Sequence, residues 1–208
     1  LLLTLIIVAT SGMPLYAKET GDKANSFRYE NGQSIAKAVP FSTLSPNAWK
    51  KIDGKYYSGD GSVIEGAVAK GIDVSHHQGT VDWKKAKEDG VEFAIIRCGF
   101  GMNQTKQDDA QWFNNVKGCE ENNIPYGVYL YSYADTVKKA QSEAEHVLRL
   151  IKGHTLAYPV YYDIEEKAVL NKLTAEQLGK IAATFVNKVK AEGYQTGIYS
   201  NKSNFETF

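Results

Sequence analysis

The sequence has no excess of either charge, because its 208 residues contain 24 Lys plus Arg and 24 Asp plus Glu. A balanced chain has neither a polycationic surface for nucleic acid nor an acidic disordered tail. We therefore expect no nucleic-acid partner, and any charged ligand must be bound by a local group of residues. With 43% hydrophobic residues, the chain can form one domain with a core plus an additional segment.

Cysteine and histidine are scarce as well. Cys98 and Cys119 are too few for a disulfide scaffold, and they could form one disulfide or remain as two buried thiols. The four histidines include no H-x-x-x-H or H-E-x-x-H pattern, and the side chains of adjacent His76 and His77 should diverge. Although Asp73, Asp163 and Glu165 could also bind a metal, we expect no metal and no cofactor.

The first 17 residues, "LLLTLIIVATSGMPLYA", are mostly apolar and end in small residues. This pattern predicts a signal peptide cleaved after Ala17. The run is shorter than the ~20 residues of a membrane-spanning helix, so we expect a secreted, extracellular or wall-associated protein without stable membrane insertion. The chain begins with Leu1 and has no basic segment before the apolar run, which predicts that the gene product starts further upstream.

Residues 18–69 are polar and rich in turn-forming residues, which is typical of a linker. Within them, "AWKKIDGKYYSGDGSVIEG" places Trp49, Tyr56 and Tyr57 around "DG" and "GDG" turns, as in a single aromatic wall-binding repeat. An isolated β-hairpin fits the same pattern, because such repeats need neighbours to bury their aromatic side chains.

From residue 70 to residue 208 the pattern alternates between strands and helices. Strands are predicted at "KGIDVS", "EFAIIRCGF", "YGVYLYSYA", "YPVYYDIE" and "QTGIYS". Asp82 should cap the first helix, Phe113, Val116 and Cys119 should share one face of the second, and Thr174 with Gln177 should form a capping box. Five βα units require parallel strands, and the absence of G-x-G-x-x-G and Walker motifs favours a (β/α) barrel over an open sheet.

A barrel places function at the carboxyl ends of its strands. Since side chains alternate along a strand, parity separates those facing the helices from those facing the barrel axis. The inward set near the strand ends contains Asp73, Arg97, Tyr129, Tyr131, Tyr133, Asp163, Glu165 and Tyr199. Three carboxylates, one arginine and several tyrosines should therefore meet at one mouth, where Arg97, Tyr129, Tyr131 and Tyr199 are candidates for substrate binding.

Asp163 and Glu165 form the most informative pair. At positions i and i+2 of one strand their Cα atoms should lie about 6.5 Å apart. If Asp163 and Asp73 are ionised nearby, repulsion should raise the pKa of Glu165, as a general acid requires. Unequal carboxylates in an aromatic cleft are used in glycosidic cleavage. The alternative is a structural ion pair between Arg97 and either Asp73 or Asp163.

The motifs "KGIDVSHHQGTVDW", "FAIIRCGFG", "YGVYLYSYA", "YPVYYDIEE" and "GIYSNKSNF" resemble, in order and spacing, the lysozymes of glycoside hydrolase family 25. The resemblance implies a flattened, modified (β/α) TIM-like barrel that cleaves the β-1,4 bond between N-acetylmuramic acid and N-acetylglucosamine in peptidoglycan. It places the family's catalytic residues on Asp73, Asp163 and Glu165. Glu165 would protonate the leaving oxygen, and Asp163 would orient the 2-acetamido group of the substrate.

Members of that family continue beyond the "IYSN" strand, so we expect this chain to be truncated at its C-terminus and also at its N-terminus, with about five βα units of an incomplete barrel. The expected partner is the glycan strand of bacterial peptidoglycan, bound by a monomer. A catalytically silent wall-binding module is one alternative. A chitinase-like barrel is another, but it requires D-x-D-x-E, and Tyr161 occupies the first acidic position.

Overall fold

The computed structural model describes residues 29–30, 33–34, 49–58 and 61–207. The predicted signal peptide and most of the predicted linker lie outside these residues. Two short antiparallel pairs come first: β1 (Tyr29–Glu30) with β2 (Gln33–Ser34), and β3 (Lys50–Ile52) with β4 (Lys55–Tyr57). The β3–β4 turn uses Asp53 and Gly54, both with positive φ, which suits a two-residue hairpin loop.

The main domain is a five-stranded parallel sheet with helices between the strands. Its strands are β5 (Gly71–Val74), β6 (Phe93–Phe100), β7 (Tyr126–Tyr131), β8 (Val160–Asp163) and β9 (Thr196–Tyr199). The α-helices are α1 (Trp83–Glu88), α2 (Trp112–Glu121), α3 (Val137–Ile151), α4 (Lys167–Leu170), α5 (Ala175–Ala191) and α6 (Lys202–Thr207). The predicted α/β class with a parallel sheet is confirmed.

Strand order in this sheet follows the chain, β5-β6-β7-β8-β9, with every neighbouring pair parallel. A doubly wound sheet would reverse its order at a switch point, and no reversal occurs within the five strands. The predicted N-terminal caps of two helices are also present. Asp82 caps α1 by accepting a hydrogen bond from the Lys85 amide, and Thr174 and Gln177 form the capping box of α5.

The main core lies between the sheet and its helices, as the strand parity predicts. Val74, Val128, Val160 and Tyr162 face this side, and the ring of Tyr162 stacks on Phe185 of α5 with centroids 3.9 Å apart. The opposite face carries a smaller cluster around Phe93, Ile95 and Tyr161. Alternate residues of each strand therefore pack in the core between the sheet and its helices, and their immediate neighbours face the opposite side of the sheet. That opposite face is available for a site.

The predicted face of α2 was wrong at one position. Phe113 is 68% exposed, whereas Trp112 is fully buried together with Val116 and Cys119. Positions 112, 116 and 119 follow the i, i+4, i+7 spacing of one helical face, so the larger indole takes the core position. Phe113 points to the solvent on the adjacent face.

The β3–β4 hairpin packs against the amino-terminal end of the sheet. Buried Tyr56 donates a hydrogen bond from its hydroxyl to the Val68 carbonyl at 3.2 Å, and it also contacts the Glu92 carboxylate. Glu92, just before β6, additionally accepts from Lys51 Nζ and from the Lys70 amide, each at 2.8 Å. The hairpin is thus fixed at the end of the sheet opposite the carboxyl ends of the strands.

Candidate active site

The carboxyl ends of the strands bring the predicted site residues together on one face of the sheet. Tyr131, Asp163 and Tyr199 pair across β7, β8 and β9, and Arg97 pairs with Tyr129 one layer below. The strand register therefore places these five side chains in two adjacent layers on the same face. Asp73 pairs with Ile95, which is two residues before Arg97, so Asp73 also shares this face.

Asp73 and Asp163 each have a carboxylate oxygen without a partner. Asp163 is 4% exposed and Asp73 keeps some exposed surface, but Oδ1 of both is buried and accepts no hydrogen bond from the described residues. A buried acceptor without a partner is destabilising. Both oxygens therefore have the capacity to accept a hydrogen bond from a ligand.

The environment raises the pKa of both aspartates. Burial raises the pKa of Asp73 to about 6, and the charge of Glu165 adds to this, while a hydrogen bond with Tyr129 and the charge of Arg97 oppose it. Burial also raises the pKa of Asp163 well above its usual value, with further contributions from Glu165 and Asp73. The expectation that Asp73 and Asp163 remain ordinary ionised neighbours is therefore corrected, because both retain their protons to higher pH than isolated aspartates.

Glu165 lies two residues beyond the end of β8 and is partly buried. Its pKa is raised, first by burial and then by the negative charge of Glu166. The sequence predicted the correct direction for this shift but assigned it to repulsion from Asp163 and Asp73. In the structure, loss of hydration and the adjacent glutamate act on Glu165 itself, and the repulsion between Glu165 and the two aspartates raises the pKa of Asp73 and Asp163.

Glu166 lies beside the mouth of the site, next to Glu165 and Tyr131. Its side chain accepts a hydrogen bond from the Ala168 amide at 3.1 Å and thereby caps α4. It also accepts from the Tyr131 hydroxyl at 3.3 Å. The third acidic residue of "YDIEE" is thus a helix cap that also holds a tyrosine of the site.

Arg97 pairs with Asp109, a residue that the sequence analysis did not select. Arg97 Nε donates to Asp109 Oδ2 at 2.8 Å, and the two side chains are 9% and 0% exposed. Asp109 Oδ2 also accepts from the His76 amide at 3.0 Å, while Oδ1 accepts from the Gln111 amide at 2.9 Å. The alternative in which Arg97 pairs directly with Asp73 or Asp163 is not what the structure contains.

A bulge and a folded-back loop bring Asp109 to this position. The register of β6 with β7 shifts between Arg97 and Gly99, and the Asp109 amide donates to the Cys98 carbonyl at 2.9 Å. The signal in the sequence was indirect: an inward arginine on a buried strand requires a carboxylate, and "QDDAQW" follows that strand within ten residues. Nothing local identified which of the two aspartates would supply it.

The two histidines continue this network. Arg97 Nη2 donates to His76 Nδ1, and Arg97 Nη1 lies 3.5 Å from His77 Nε2. Burial, followed by the charge of Arg97, lowers the pKa of His77 to about 4, so its ring is neutral near pH 7 and can accept a hydrogen bond from the guanidinium. The histidine rings lie with their centroids 3.8 Å apart. They hold the guanidinium rather than diverging as expected.

Tyrosines line the site to different extents. Tyr129 and Tyr131 are partly exposed, and burial raises the pKa of each, so both hydroxyls remain protonated donors. Tyr133 lies beyond the end of β7 and is 40% exposed, with its ring 5.3 Å from that of Tyr131 and 6.3 Å from that of Phe100. These rings form an aromatic surface beside the acids, while Tyr199 lies next to Asp163 on β9.

Across the part of the chain that the structure describes, no group of three or more His, Cys, Asp or Glu side chains is arranged to hold a metal ion. In the same residues no helix is long and apolar enough to cross a membrane. Cys98 and Cys119 are both free thiols and buried. Of the two alternatives for the cysteines, the structure contains the unpaired one.

Comparison with protein families matches residues 72–208 to the model of "Glycosyl hydrolases family 25". A curated relative, the autolytic lysozyme of Clostridium acetobutylicum, is 28% identical over 131 residues, which are 63% of this chain and 38% of that protein. The matched family segment and the site residues coincide, since both lie in the five-stranded domain.

Solved structures agree with this match. The modular autolysin of Streptococcus pneumoniae, in complex with a synthetic peptidoglycan ligand, has 33% identity and a TM-score of 0.63, covering 76% of this chain and 39% of its own. A family 25 glycosyl hydrolase from Bacillus anthracis has 21% identity and a TM-score of 0.60, covering 67% and 64%, which is a likeness of fold. The chain spans less than half the length of the autolytic lysozyme and of the modular autolysin.

Proposed function

The chain belongs to family 25 of the glycosyl hydrolases, and we propose that it is a lysozyme that cleaves the β-1,4 bond between N-acetylmuramic acid and N-acetylglucosamine. The relative it matches is an autolytic lysozyme, and one similar structure holds a peptidoglycan ligand. The proposed substrate is therefore the glycan strand of bacterial peptidoglycan, and the proposed place of action is outside the cell membrane.

One observation carries the proposal: Asp163, Glu165 and Asp73 meet in one partly buried site, and the pKa of each is raised. Glycoside hydrolysis needs a carboxylic acid that is still protonated near neutral pH, and burial beside other carboxylates supplies it. An ordinary surface cluster of acids would be hydrated and ionised. The arrangement thus supports acid catalysis rather than a structural role.

The residues divide the reaction between them. Glu165, at the edge of the site, donates its proton to the oxygen of the leaving sugar. Asp163, whose Oδ1 has no partner among the described residues, accepts a hydrogen bond from the N–H of the 2-acetamido group and orients that group toward the anomeric carbon. Asp73, held by Tyr129, stabilises the positive charge that develops on the sugar ring.

Substrate binding falls to the residues around these acids. Tyr131 and Tyr199 flank Asp163 on the neighbouring strands, and Tyr129 occupies the layer below. Arg97 contributes through its positive charge, which lowers the pKa of Asp73 and Asp163, rather than by a direct ion pair with them. We infer that the five parallel strands form the arc of a modified (β/α) barrel, because their order is sequential and their carboxyl ends carry the site.

We propose an accessory role for the β3–β4 hairpin. Its aromatic residue Tyr56 is buried against the domain, so the hairpin is attached and not freely tethered. The similar autolysin matches 76% of this chain, which is more than the 137 of 208 residues in the family segment. We propose that residues 49–69 belong to a wall-binding unit placed at the end of the sheet opposite the mouth.

Product analysis tests the proposed bond directly. The protein as its gene encodes it is incubated with purified peptidoglycan, and the products are reduced with borohydride and identified by mass spectrometry. A lysozyme creates new N-acetylmuramic acid reducing ends, which are recovered as muramitol. Products that carry only N-acetylglucosaminitol would contradict the proposed bond. Binding to insoluble peptidoglycan without any released product would favour the silent wall-binding module.

A further inference from the structure

Glu143 of α3 is a fully buried carboxylate that the proposed chemistry does not use. It is 0% exposed and lies on the helix side of the sheet, opposite the face that carries the acids. Burial raises its pKa, and hydrogen bonds from its neighbours oppose that shift. A carboxylate in a core of valines and alanines is destabilising unless its partners are fixed, so its position requires an explanation.

Its partners are all at the carboxyl ends of β7 and β8. Oε1 accepts from the Tyr133 amide at 2.9 Å, and Oε2 accepts from the Ser132 hydroxyl at 2.8 Å and from the Tyr162 hydroxyl at 2.6 Å. Ser132 Oγ in turn accepts from the Ala134 amide at 3.1 Å. One side chain therefore orders the last residues of two neighbouring strands and the start of the loop after β7.

These partners alternate with the residues of the site. Ser132 lies between Tyr131 and Tyr133, and Tyr162 directly precedes Asp163 in the sequence. The Ser132 amide also donates to the Asp163 carbonyl at 2.9 Å. Because neighbours on a strand point to opposite faces, Glu143 holds the outward side chains while Tyr131 and Asp163 project into the site.

We propose that Glu143 is a positioning residue for the reaction: from behind the sheet it fixes the backbone that aims Asp163 and Tyr131 at the substrate. This inference rests on the proposed hydrolysis of peptidoglycan. A shift of about 1 Å in a positioned group can lower catalysis severely, so the network should influence turnover more than substrate affinity. Glu143 is not among the groups that shift the pKa of Asp163 or Glu165. Both limbs of the pH profile of kcat should therefore stay at their wild-type pH values.

The test compares three variants of the gene-encoded protein on soluble peptidoglycan fragments. Glu143→Gln has the same shape but keeps only one acceptor oxygen, so it leaves either the Tyr133 amide or the hydroxyls of Ser132 and Tyr162 without an acceptor. Ser132→Ala removes the hydroxyl that contacts Glu143, Tyr162 and the Ala134 amide but removes no charge, which guards against failure of the first variant to fold. Val147→Ala, at a fully buried position one turn further along the same helix, removes core packing but no hydrogen bond. Each is assayed well below its Tm.

We expect Glu143→Gln to lower kcat about tenfold with KM within about twofold, Ser132→Ala to lower kcat about threefold, and Val147→Ala to retain wild-type kcat despite a lower Tm. Wild-type kcat in both Glu143→Gln and Ser132→Ala would overturn the inference and leave the proposed function intact. An equal loss in Val147→Ala would also overturn it, since the effect would then be general destabilisation. An inactive wild-type protein would overturn the proposed function and, with it, this inference.

Discussion

Arg97 donates to Asp109 across 2.8 Å, and both side chains are almost completely buried. The pair lies near Asp73 and Asp163, where the charge of Arg97 lowers the pKa of both carboxyl groups. Because Asp109 binds the guanidinium, Arg97 acts on Asp73 and Asp163 through its charge and not through a direct ion pair. The oxygens of Asp73 and Asp163 remain available to a ligand.

Removing Asp109 should be strongly destabilising. Asp109→Ala leaves a buried guanidinium without its carboxylate, and breaking a buried pair by removing one partner costs about 3–5 kcal/mol. Urea unfolding followed by circular dichroism measures this change. Asp135→Ala is the matched control, because Asp135 forms an exposed pair with Lys139 whose loss costs at most about 1 kcal/mol. Equal midpoints for the two variants would contradict the role given to Asp109.

The contribution of Asp73 to the stability of the protein should decrease as pH rises through the acidic range. A carboxyl with a pKa raised to about 6 in the folded state and near 4 in the unfolded state binds more protons when folded. Its contribution is fully present below about pH 4 and is lost as pH rises to about 6, which amounts to at most roughly 3 kcal/mol.

Asp73→Asn should remove the part of the pH dependence of stability that arises from Asp73. The amide cannot ionise and keeps an acceptor for Tyr129, so the variant should be more stable than the wild type at pH 7 while losing activity. Urea unfolding at pH 4 to 8 gives the change of the unfolding free energy with pH for the wild type and for Asp73→Asn. Asp135→Asn is the control, which should show the wild-type change. A steeper decline for Asp73→Asn than for the wild type would refute the sign of this argument.

Glu166 should tune the acid beside it. Its negative charge raises the pKa of Glu165, so Glu166→Gln should shift the alkaline limb of the kcat profile to lower pH, on the order of half a unit. Gln can still cap α4 through its amide oxygen. Glu176→Gln on the exposed surface of α5 should leave the limb in place. A shift to higher pH in Glu166→Gln would be inconsistent with the electrostatics of the site.

Attachment of the hairpin should depend on Glu92. Glu92→Gln weakens the bonds from Tyr56 and Lys70, which are worth on the order of 1.5 kcal/mol. Amide hydrogen exchange in residues 50–57 should then accelerate roughly tenfold, while kcat is unchanged because the hairpin lies opposite the mouth. Exposed Glu88→Gln is the control. Unaltered exchange in Glu92→Gln would mean that other contacts hold the hairpin.

Local patterns predicted much of this protein. The five strands, the capping box at Thr174 and the inward position of Asp73 and Asp163 follow from periodicity, because one face of each strand packs on helices. Contacts between distant residues were not predictable in this way. Asp109 reaches Arg97 through a bulge and a loop, and Glu143 reaches Tyr162 from another element. Phe113 was wrongly predicted to be buried, because the spacing of positions 113, 116 and 119 is as helical as that of positions 112, 116 and 119. Spacing alone does not decide whether Trp112 or Phe113 faces the core.

The central claim is that Glu165 is the proton donor for cleavage of peptidoglycan. The most direct measurement is the rate of reducing-sugar release from purified peptidoglycan by Glu165→Gln, with Glu176→Gln as the matched control and circular dichroism to verify folding. We expect Glu165→Gln to lose about 10²–10⁴-fold in rate with an unchanged spectrum, while Glu176→Gln retains the wild-type rate. A Glu165→Gln protein that releases reducing sugar at the wild-type rate would contradict this claim.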